Sequence, residues 1–401
     1  MTARDLPRRV ALALALVLPA AATAAPQGIP PALTTEIVEV ADLAGPVPTD
    51  PASPAWNALP PAALVAAPQV SIRLPDAQAN AALAKAANRT VRVRAATDGT
   101  SLGVLLEWPD PTEDRTTPDG VEVFGDAAAL QLPLELGAGK RLPYVGMGDE
   151  RARVAVFLQR ATSTGTVARQ AIGAGFGTLA RADLGGLTVA MRRDPAGKGW
   201  RALFVRPLAA GGLDLRRGIV PFAVAVWDGS AKERAGNKAL TGWKLLRLAR
   251  FPLDAAYAAE LAWGLAPGEL GDARKGKELF EATCTACHSA GELRAAPGLA
   301  PDLSRIGVIA SPAYLRDSIV LPSEVIVPTP NPAQHQDRAA KLARGAAWPD
   351  DDGYVWYRVE PDGKKTSTMP DFSSLPKEDV QAIVAHLRTL GQAPSGSGGT
   401  P

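Results

Sequence analysis

Cys284-Thr285-Ala286-Cys287-His288 contains both cysteines of this 401-residue chain, and its reading decides what the C-terminal part must be. Cysteines three apart on a helix project from nearly the same face. Each thiol can therefore form a thioether with one of the two vinyl groups of a haem. The histidine that follows then points an imidazole nitrogen at the iron, and the five residues together are the attachment signature of a c-type haem. A zinc site needs about four ligands, and the chain has no second cysteine pair to complete one. A thioredoxin-like redox pair belongs at the end of a strand in a βαβ unit, and none surrounds this motif. With no other cysteine, no disulfide supports the fold, so each domain must rely on its own core.

Outward from the motif the hydrophobic period is helical. Ala255 to Leu265 and Ala273 to Thr283 read as helices, with Gly268 and Gly271 marking a linker, and Pro312 to Val320 is a third. The clearest runs from Pro376 to Leu390. Proline suits its first turn, Glu378 and Asp379 favour its positive end, and Gly391 stops it. A second axial ligand is needed for a six-coordinate haem, and thioether sulfur raises the potential. Beyond the leader the chain has three methionines, and only Met369, in Met369-Pro370-Asp371-Phe372, lies in this region. Its position, rarity and adjoining proline mark it as the ligand. His335, in a polar loop, and His386, on the last helix between apolar positions, are the competitors. The first reads as a solvated loop histidine and the second as a satisfied helix histidine. The region from Ala273 to Leu390 resembles class I cytochrome c through Gly276 to Phe280, Pro301-Asp302-Leu303, the Met-Pro pair and the closing helix. The resemblance implies that the Pro301 carbonyl accepts a hydrogen bond from the proximal imidazole of His288. Ala300 stands where that family has glycine, so this contact is less secure than the ligands. Val325 to Thr368 is longer than a minimal cytochrome needs, and Tyr354 to Val359 with Lys364 to Ser367 predicts a hairpin around Asp362-Gly363.

Before Leu248 the dominant period is two. Val91 to Arg94 alternates and passes through Asp98-Gly99, a hairpin signal, into Leu102 to Trp108. Val70 to Leu74, Ala127 to Leu132, Val154 to Gln159, Leu187 to Met191, Ala202 to Pro207, Val220 to Trp227 and Leu245 to Leu248 are further strand candidates. Short strands separated by Gly, Pro and Asp predict an all-β sandwich or barrel. A helical insert is expected over Asp76 to Ala87, and Thr35 to Pro68, rich in Pro and Ala, reads as an extended arm or wrapping strand. Arg8 and Arg9 precede an apolar stretch, Val10 to Leu18, and small residues near Ala24, as in a secretory signal. That stretch is too short to span a bilayer. A periplasmic protein without a membrane span after processing is expected. Removing the leader takes away Arg4, Arg8, Arg9 and Asp5 and leaves the chain close to neutral, which argues against a nucleic-acid partner.

Several motifs of the β region occur together: Leu106-Glu107-Trp108-Pro109-Asp110-Pro111-Thr112, Phe124-Gly125-Asp126-Ala127, Tyr144-Val145-Gly146-Met147-Gly148, Ala225-Val226-Trp227-Asp228-Gly229, and Glu233 to Lys238 leading to Trp243. In this order they resemble the haem-binding γ subunit of ethylbenzene dehydrogenase and its dimethylsulfide dehydrogenase and selenate reductase relatives. The resemblance implies a non-covalent haem b held between Met147 and Lys238. Only a neutral amine has a lone pair to give iron, and burial lowers the pKa of lysine. Apart from the resemblance, Lys238 reads as a surface lysine and Met147 as ordinary packing, although flanking glycines would let a haem approach the backbone. Met191 reads as core. Trp108, Trp227 and Trp243 either pack the sandwich or line the pocket, and Asp110 and Asp228 either cap turns or hydrogen-bond a haem propionate or a backbone amide.

The chain thus reads as multidomain: a leader over 1–25, an all-β haem b domain over 30–252, a linker helix over 253–271, an all-α cytochrome c domain over 272–392 and a disordered tail over 393–401. Four protein ligands would saturate two irons, so electron transfer without catalysis is expected. The implied partners are the iron–sulfur and molybdenum subunits of a redox enzyme and a soluble periplasmic electron carrier. Two alternatives stand beside this. A ligand could leave one iron and admit a small molecule, or the β domain could be a mere docking or ligand-binding module on a monohaem cytochrome.

Overall fold

The computed structural model describes residues 29–71, 77–117, 123–175, 178–266, 270–295, 300–326 and 357–392. The leader, the tail and His335 lie outside the described residues.

Fifteen strands build the first part. They are β1 (Ile37–Asp42), β2 (Ala62–Pro68), β3 (Arg89–Thr97), β4 (Ser101–Pro109), β5 (Ala127–Pro133), β6 (Val154–Thr162), β7 (Gly165–Gly173), β8 (Ala180–Arg181), β9 (Thr188–Arg193), β10 (Gly199–Pro207), the short pair β11 (Ala209–Ala210) and β12 (Leu213–Asp214), then β13 (Ile219–Trp227), β14 (Ala239–Leu240) and β15 (Lys244–Arg247). Thirteen form one sheet in the order β8-β7-β6-β5-β13-β14-β2-β3-β4-β10-β9, with β1 and β15 completing it off that path. Its pairings are antiparallel except those of β1, whose first half runs parallel to β15 and whose second half runs parallel to β3. The sheet curls so that its halves pack face to face. Large residues from both, among them Phe222, Val224, Leu130 and Phe157 against Val104, Trp108, Trp200 and Phe204, form the main core. Met191 and Trp108 belong to this core.

The Asp98-Gly99 turn joins β3 to β4 as the sequence indicated, with Gly99 at φ +88°. Of the two readings of Thr35 to Pro68, the wrapping strand is the one observed, since the segment contributes β1 and β2. Their alanines have little β propensity of their own, and neighbours on both sides supply the pairing. Val70 and Ser71 lie in a turn rather than starting a strand, and Ile72 to Leu74 fall outside the described residues. The sequence also gave no signal for β7, which is mostly exposed and so lacks a clear alternation.

Helices complete the fold: one at Pro54–Asn57 packs Trp56 against Ala96, Leu105 and Leu203, and one at Ala255–Leu265 covers the outer face of the β5–β13 half. Numbered along the chain, they are α1 (Pro54–Asn57), α2 (Ala77–Lys85), α3 (Ala255–Leu265), α4 (Ala273–Thr283), α5 (Ile306–Ile309), α6 (Pro312–Val320) and α7 (Lys377–Thr389). Asp254 caps α3 by accepting from the Tyr257 N–H, and Tyr257, Ala258, Leu261 and Leu265 are its buried face. That face joins the sheet residues Ala223, Leu245 and Trp243 in a second core. The segment read as a linker helix is therefore a packed wedge between sheet and cytochrome-like helices.

In the helical part, α4 crosses α7 at Gly276. A Cβ there would come within 1.8 Å of the Ala382 carbonyl oxygen, so only glycine lets the two backbones approach this closely. Phe280, Leu315, Ile319, Ile383 and Leu387 pack around the crossing. The hairpin is present as β16 (Tyr357–Val359) and β17 (Lys365–Ser367), with Gly363 at φ +82° in its turn. The other residues of its first arm, 354–356, lie outside the described residues. No described helix is long and apolar enough to cross a membrane.

Candidate functional site

The helical hydrogen-bond pattern runs on past α4. The Cys284 N–H donates to Phe280 O at 2.8 Å, and the His288 N–H donates to Cys284 O at 2.9 Å. This extra turn brings both thiols and the imidazole to one cavity. Cys284, Cys287, His288, Pro301 and Met369 all line it, with Phe280, Leu315 and Ile383 supplying apolar walls. His288 Nδ1 lies 2.9 Å from the Pro301 carbonyl oxygen. A carbonyl only accepts, so Nδ1 carries the proton and Nε2 keeps its lone pair for a metal. Ala300 in place of glycine does not prevent this contact. Burial pushes the His288 pKa below its ordinary value, with the Pro301 bond opposing, which favours the neutral, ligating form. Burial also pushes the Cys284 thiol up to about 11, with Cys287 adding to the effect.

Met369 is positioned by short-range contacts. Its N–H donates to Ser367 Oγ at 3.1 Å, and the Ser367 N–H donates to Ser323 Oγ at 3.0 Å. The hairpin is thereby pinned to the turn after α6. His386 is not among the cavity residues. It is buried with its ring centroid 5.4 Å from that of Phe280, and its Nε2 has no hydrogen-bond partner. The expectation of a satisfied helix histidine is thus corrected, because the ring is held by apolar packing.

The β domain presents a different arrangement. Cross-strand pairing places Ala67, Leu240, Ala225 and Ala129 in one row on the outer sheet face, flanked by Ala223, Ala127 and Trp227. The inner face of the same strands carries Phe222, Val224, Val226, Leu130 and Leu132. The outer face here thus carries mainly small side chains, opposite an inner face of large ones. Lys238 is 4% exposed, and its ammonium nitrogen lies 5.4 Å from the ring centroid of Trp227. Burial lowers its pKa from 10.5 to about 8, and no carboxylate pairs with it among the described residues. It is not the surface lysine that the sequence alone suggested. The loop that presents it is held by Glu233, whose carboxylate takes a two-pronged contact from Arg89 at 2.7 and 2.8 Å and accepts the Asp228 N–H at 2.9 Å.

Met147 stands at φ +77°, in the left-handed region. For a residue with a side chain this costs about 1 kcal/mol or more, which ordinary core packing does not require. Its loop is tied down by Gln131 Nε2, which donates to Val145 O at 2.9 Å, and by Asp149, which accepts the Tyr144 N–H at 3.1 Å. Gln131 faces outward in register with Ala223, so this loop and Lys238 share one face of the sheet. Trp227 and Trp243 belong to this side, whereas Trp108 is interior.

Tyr144 connects the two regions. Its ring stacks on Tyr314 of α6 at 5.0 Å, and both rings line the cavity of the cysteines. The sequence offered no signal for this pair, because each tyrosine sits in the other's environment only after the parts dock. Asn88 Nδ2 donating to Gly391 O at 2.7 Å and Arg305 donating to Ala86 O at 3.2 Å add to that contact.

A β domain with a desolvated lysine, beside a helical module with a cysteine-paired histidine cavity, defines a two-part chain whose second part is a cytochrome. Residues 273–391 match the cytochrome c family model. A protein assigned as a respiratory nitrate reductase haem subunit from Haloferax mediterranei is 30% identical over 237 residues, 57% of this chain and 76% of that one. The chlorate reductase subunit gamma of Ideonella dechloratans is 30% identical over 242 residues, 59% of this chain and 94% of that one. Among solved structures, a carbohydrate binding module family 9 from Caldicellulosiruptor kristjanssonii aligns at TM-score 0.30 and 11% identity, over 53% of this chain and 95% of that one. That likeness is too slight to bear on function. The chain belongs to the family of reductase haem γ subunits that its N-terminal motifs resemble, with a C-terminal cytochrome c domain in the same polypeptide. It is a haem c electron-transfer protein.

Proposed function

We propose that this chain is a periplasmic dihaem subunit relaying electrons between a molybdenum and iron–sulfur oxidoreductase and a soluble periplasmic carrier. Haem c is attached through Cys284 and Cys287 with His288 and Met369 as axial donors, and haem b is held non-covalently by Met147 and Lys238. Each bound haem supplies a one-electron iron couple tuned by its ligands and burial. The chain's own residues do the rest. Pro301 fixes the His288 tautomer, and Ser367 holds the backbone of Met369. Desolvation keeps the Lys238 amine ready to lose its proton, and the Gln131 and Asp149 bonds hold the Met147 loop.

The observation that carries the reading is the buried, unpaired Lys238 above an alanine floor, in a chain whose second domain gathers the haem c residues in one cavity. Two protein donors per iron leave no position for substrate, which supports a carrier rather than a catalyst. The names of the relatives, subunits of nitrate and chlorate reductases, support membership of such a complex. The Tyr144–Tyr314 stack supports a short route between the two sites.

A pyridine haemochrome assay on the purified chain tests the dihaem reading. One covalent haem c and one extractable haem b per polypeptide are expected, both low-spin in absorption spectra. A single iron per chain would leave the monohaem alternative, and a high-spin ferric haem would favour small-molecule binding. Co-purification with molybdenum and iron–sulfur polypeptides tests the partners.

A further inference from the structure

A third cluster of donors lies outside both haem sites, where three strand ends meet. Asp110 follows β4, Asp126 precedes β5 and Asp228 follows β13, and one carboxylate oxygen from each lies within 4.8 Å of the others. Oxygen ligands sit about 2.3–2.6 Å from Ca2+, so oxygens sharing one ion lie no more than roughly 5 Å apart. Asp110 and Asp126 are 2% and 0% exposed.

Neither Arg89 nor Arg193 commits its close contacts to these three carboxylates. Arg89 commits its close contacts to Glu233 and reaches Asp228 Oδ2 only at 3.4 Å. Arg193 donates to the carbonyls of Asp110 and Thr112 rather than to a carboxylate.

An independent observation points to a ligand. Asp110 Oδ1 accepts from the N–H and the hydroxyl of Thr112, both at 3.0 Å. Its Oδ2 is buried and has no hydrogen-bond partner. Buried carboxylate oxygens are paired with donors or with metal ions. Asp126 accepts from Trp200 Nε1, the Gly229 N–H and the Asp114 N–H, all at 2.8 Å. Two carboxylate oxygens offer about four acceptor positions, so these three bonds leave one for a cation.

We propose that Asp110, Asp126 and Asp228 bind one hard divalent cation, assigned as Ca2+ because it accepts an irregular all-oxygen site where Mg2+ demands a near-ideal octahedron. The ion joins three strand ends and fixes Asp228 at the start of the loop that ends in Lys238. Its existence rests on this cluster alone. Its consequence for the Lys238 loop rests on the haem b reading given above.

The test uses the full haem-loaded chain. Metal analysis after desalting is expected to find one calcium per chain. Chelation with EDTA is expected to lower the melting temperature by about 5–10 °C, and CaCl2 to restore it. Asp110→Asn, nearly isosteric, is expected to abolish calcium binding while haem c content stays unchanged. In the chelated chain the haem b absorption band is expected to broaden or diminish. A chain without calcium whose melting ignores EDTA, CaCl2 and MgCl2 overturns the proposal, and no variant is needed for that result. Equal restoration by MgCl2 overturns the assignment to calcium. Calcium bound to a chain lacking haem b leaves the cation site standing and removes the haem b reading, so the two failures are distinguishable.

Discussion

The cytochrome module and the β domain gather their site residues in opposite ways. In the module the attachment motif, the imidazole and the Pro301 carbonyl come from one short stretch of chain, and only Met369 arrives from afar. Its cysteines need not be deeply enclosed: Cys284 is half-buried and Cys287 exposed, because a covalent bond does not depend on exclusion of water. In the β domain Met147 and Lys238, the ligands proposed for haem b, come from distant loops; Gln131 of the sheet ties down the first and Arg89 of β3, through Glu233, the second. A non-covalent site of that kind depends on burial, since desolvation is what frees a lysine lone pair. Covalent attachment can therefore be written as a local motif, whereas enclosure is written across the whole fold.

That contrast can be broken by substitution. Replacing both cysteines with alanine is expected to remove haem c staining on denaturing gels completely while leaving extractable haem b in place. Loss of both haems together would show that the two sites are not independent. Lys238→Ala is expected to abolish the low-spin haem b spectrum and leave the haem c bands unchanged, and changes confined to haem c would contradict the assignment.

The same lysine sharpens the comparison through pH. Its amine has a pKa of about 8 in the folded chain against 10.5 ordinarily. Between those values the unfolded chain binds a proton that the folded chain does not, so stability rises with pH across the window and the penalty is full below about pH 8. In chain stripped of non-covalent haem, Lys238→Leu is expected to raise stability at pH 7 by about 3 kcal/mol, a gain that fades as pH rises from about 8 to 10.5. Denaturant unfolding at several pH values measures it. In the module, Gly276→Ala forces α4 off α7 and is expected to cost about 1–3 kcal/mol, seen as a lower melting temperature of the haem c domain. The smallest effect is expected at the junction. Tyr314→Leu removes the stack on Tyr144 and is expected to weaken docking by about 1 kcal/mol, resolved as separated melting transitions, whereas Tyr314→Phe should not.

Much of the fold was legible because local rules and tertiary packing agree. The helices at Ala255–Leu265 and Ala273–Thr283 carry N-cap aspartates and apolar stripes, and they form over the expected residues. The β3–β4 hairpin follows from Asp98-Gly99 and strict alternation. Where pairing rather than propensity decides, the sequence said less, as in the bounds of the alanine-rich β2, the switch of β1 from β15 to β3, and the exposed β7. The alanine floor had a signal in retrospect. Phe222-Ala223-Val224-Ala225-Val226 alternates large against small, and that alternation marks two different faces rather than one core.

The sequence by itself determined the haem c attachment, because two thiols and an imidazole on one helical turn depend on backbone periodicity alone. It also determined the sandwich-plus-helices organisation, through the change of hydrophobic period near Phe251. Tertiary structure alone decided that Lys238 is buried, that Tyr144 meets Tyr314, and that Asp110, Asp126 and Asp228 converge. Burial, stacking and charge clustering are properties of neighbours brought together by folding, and no spacing along the chain encodes them.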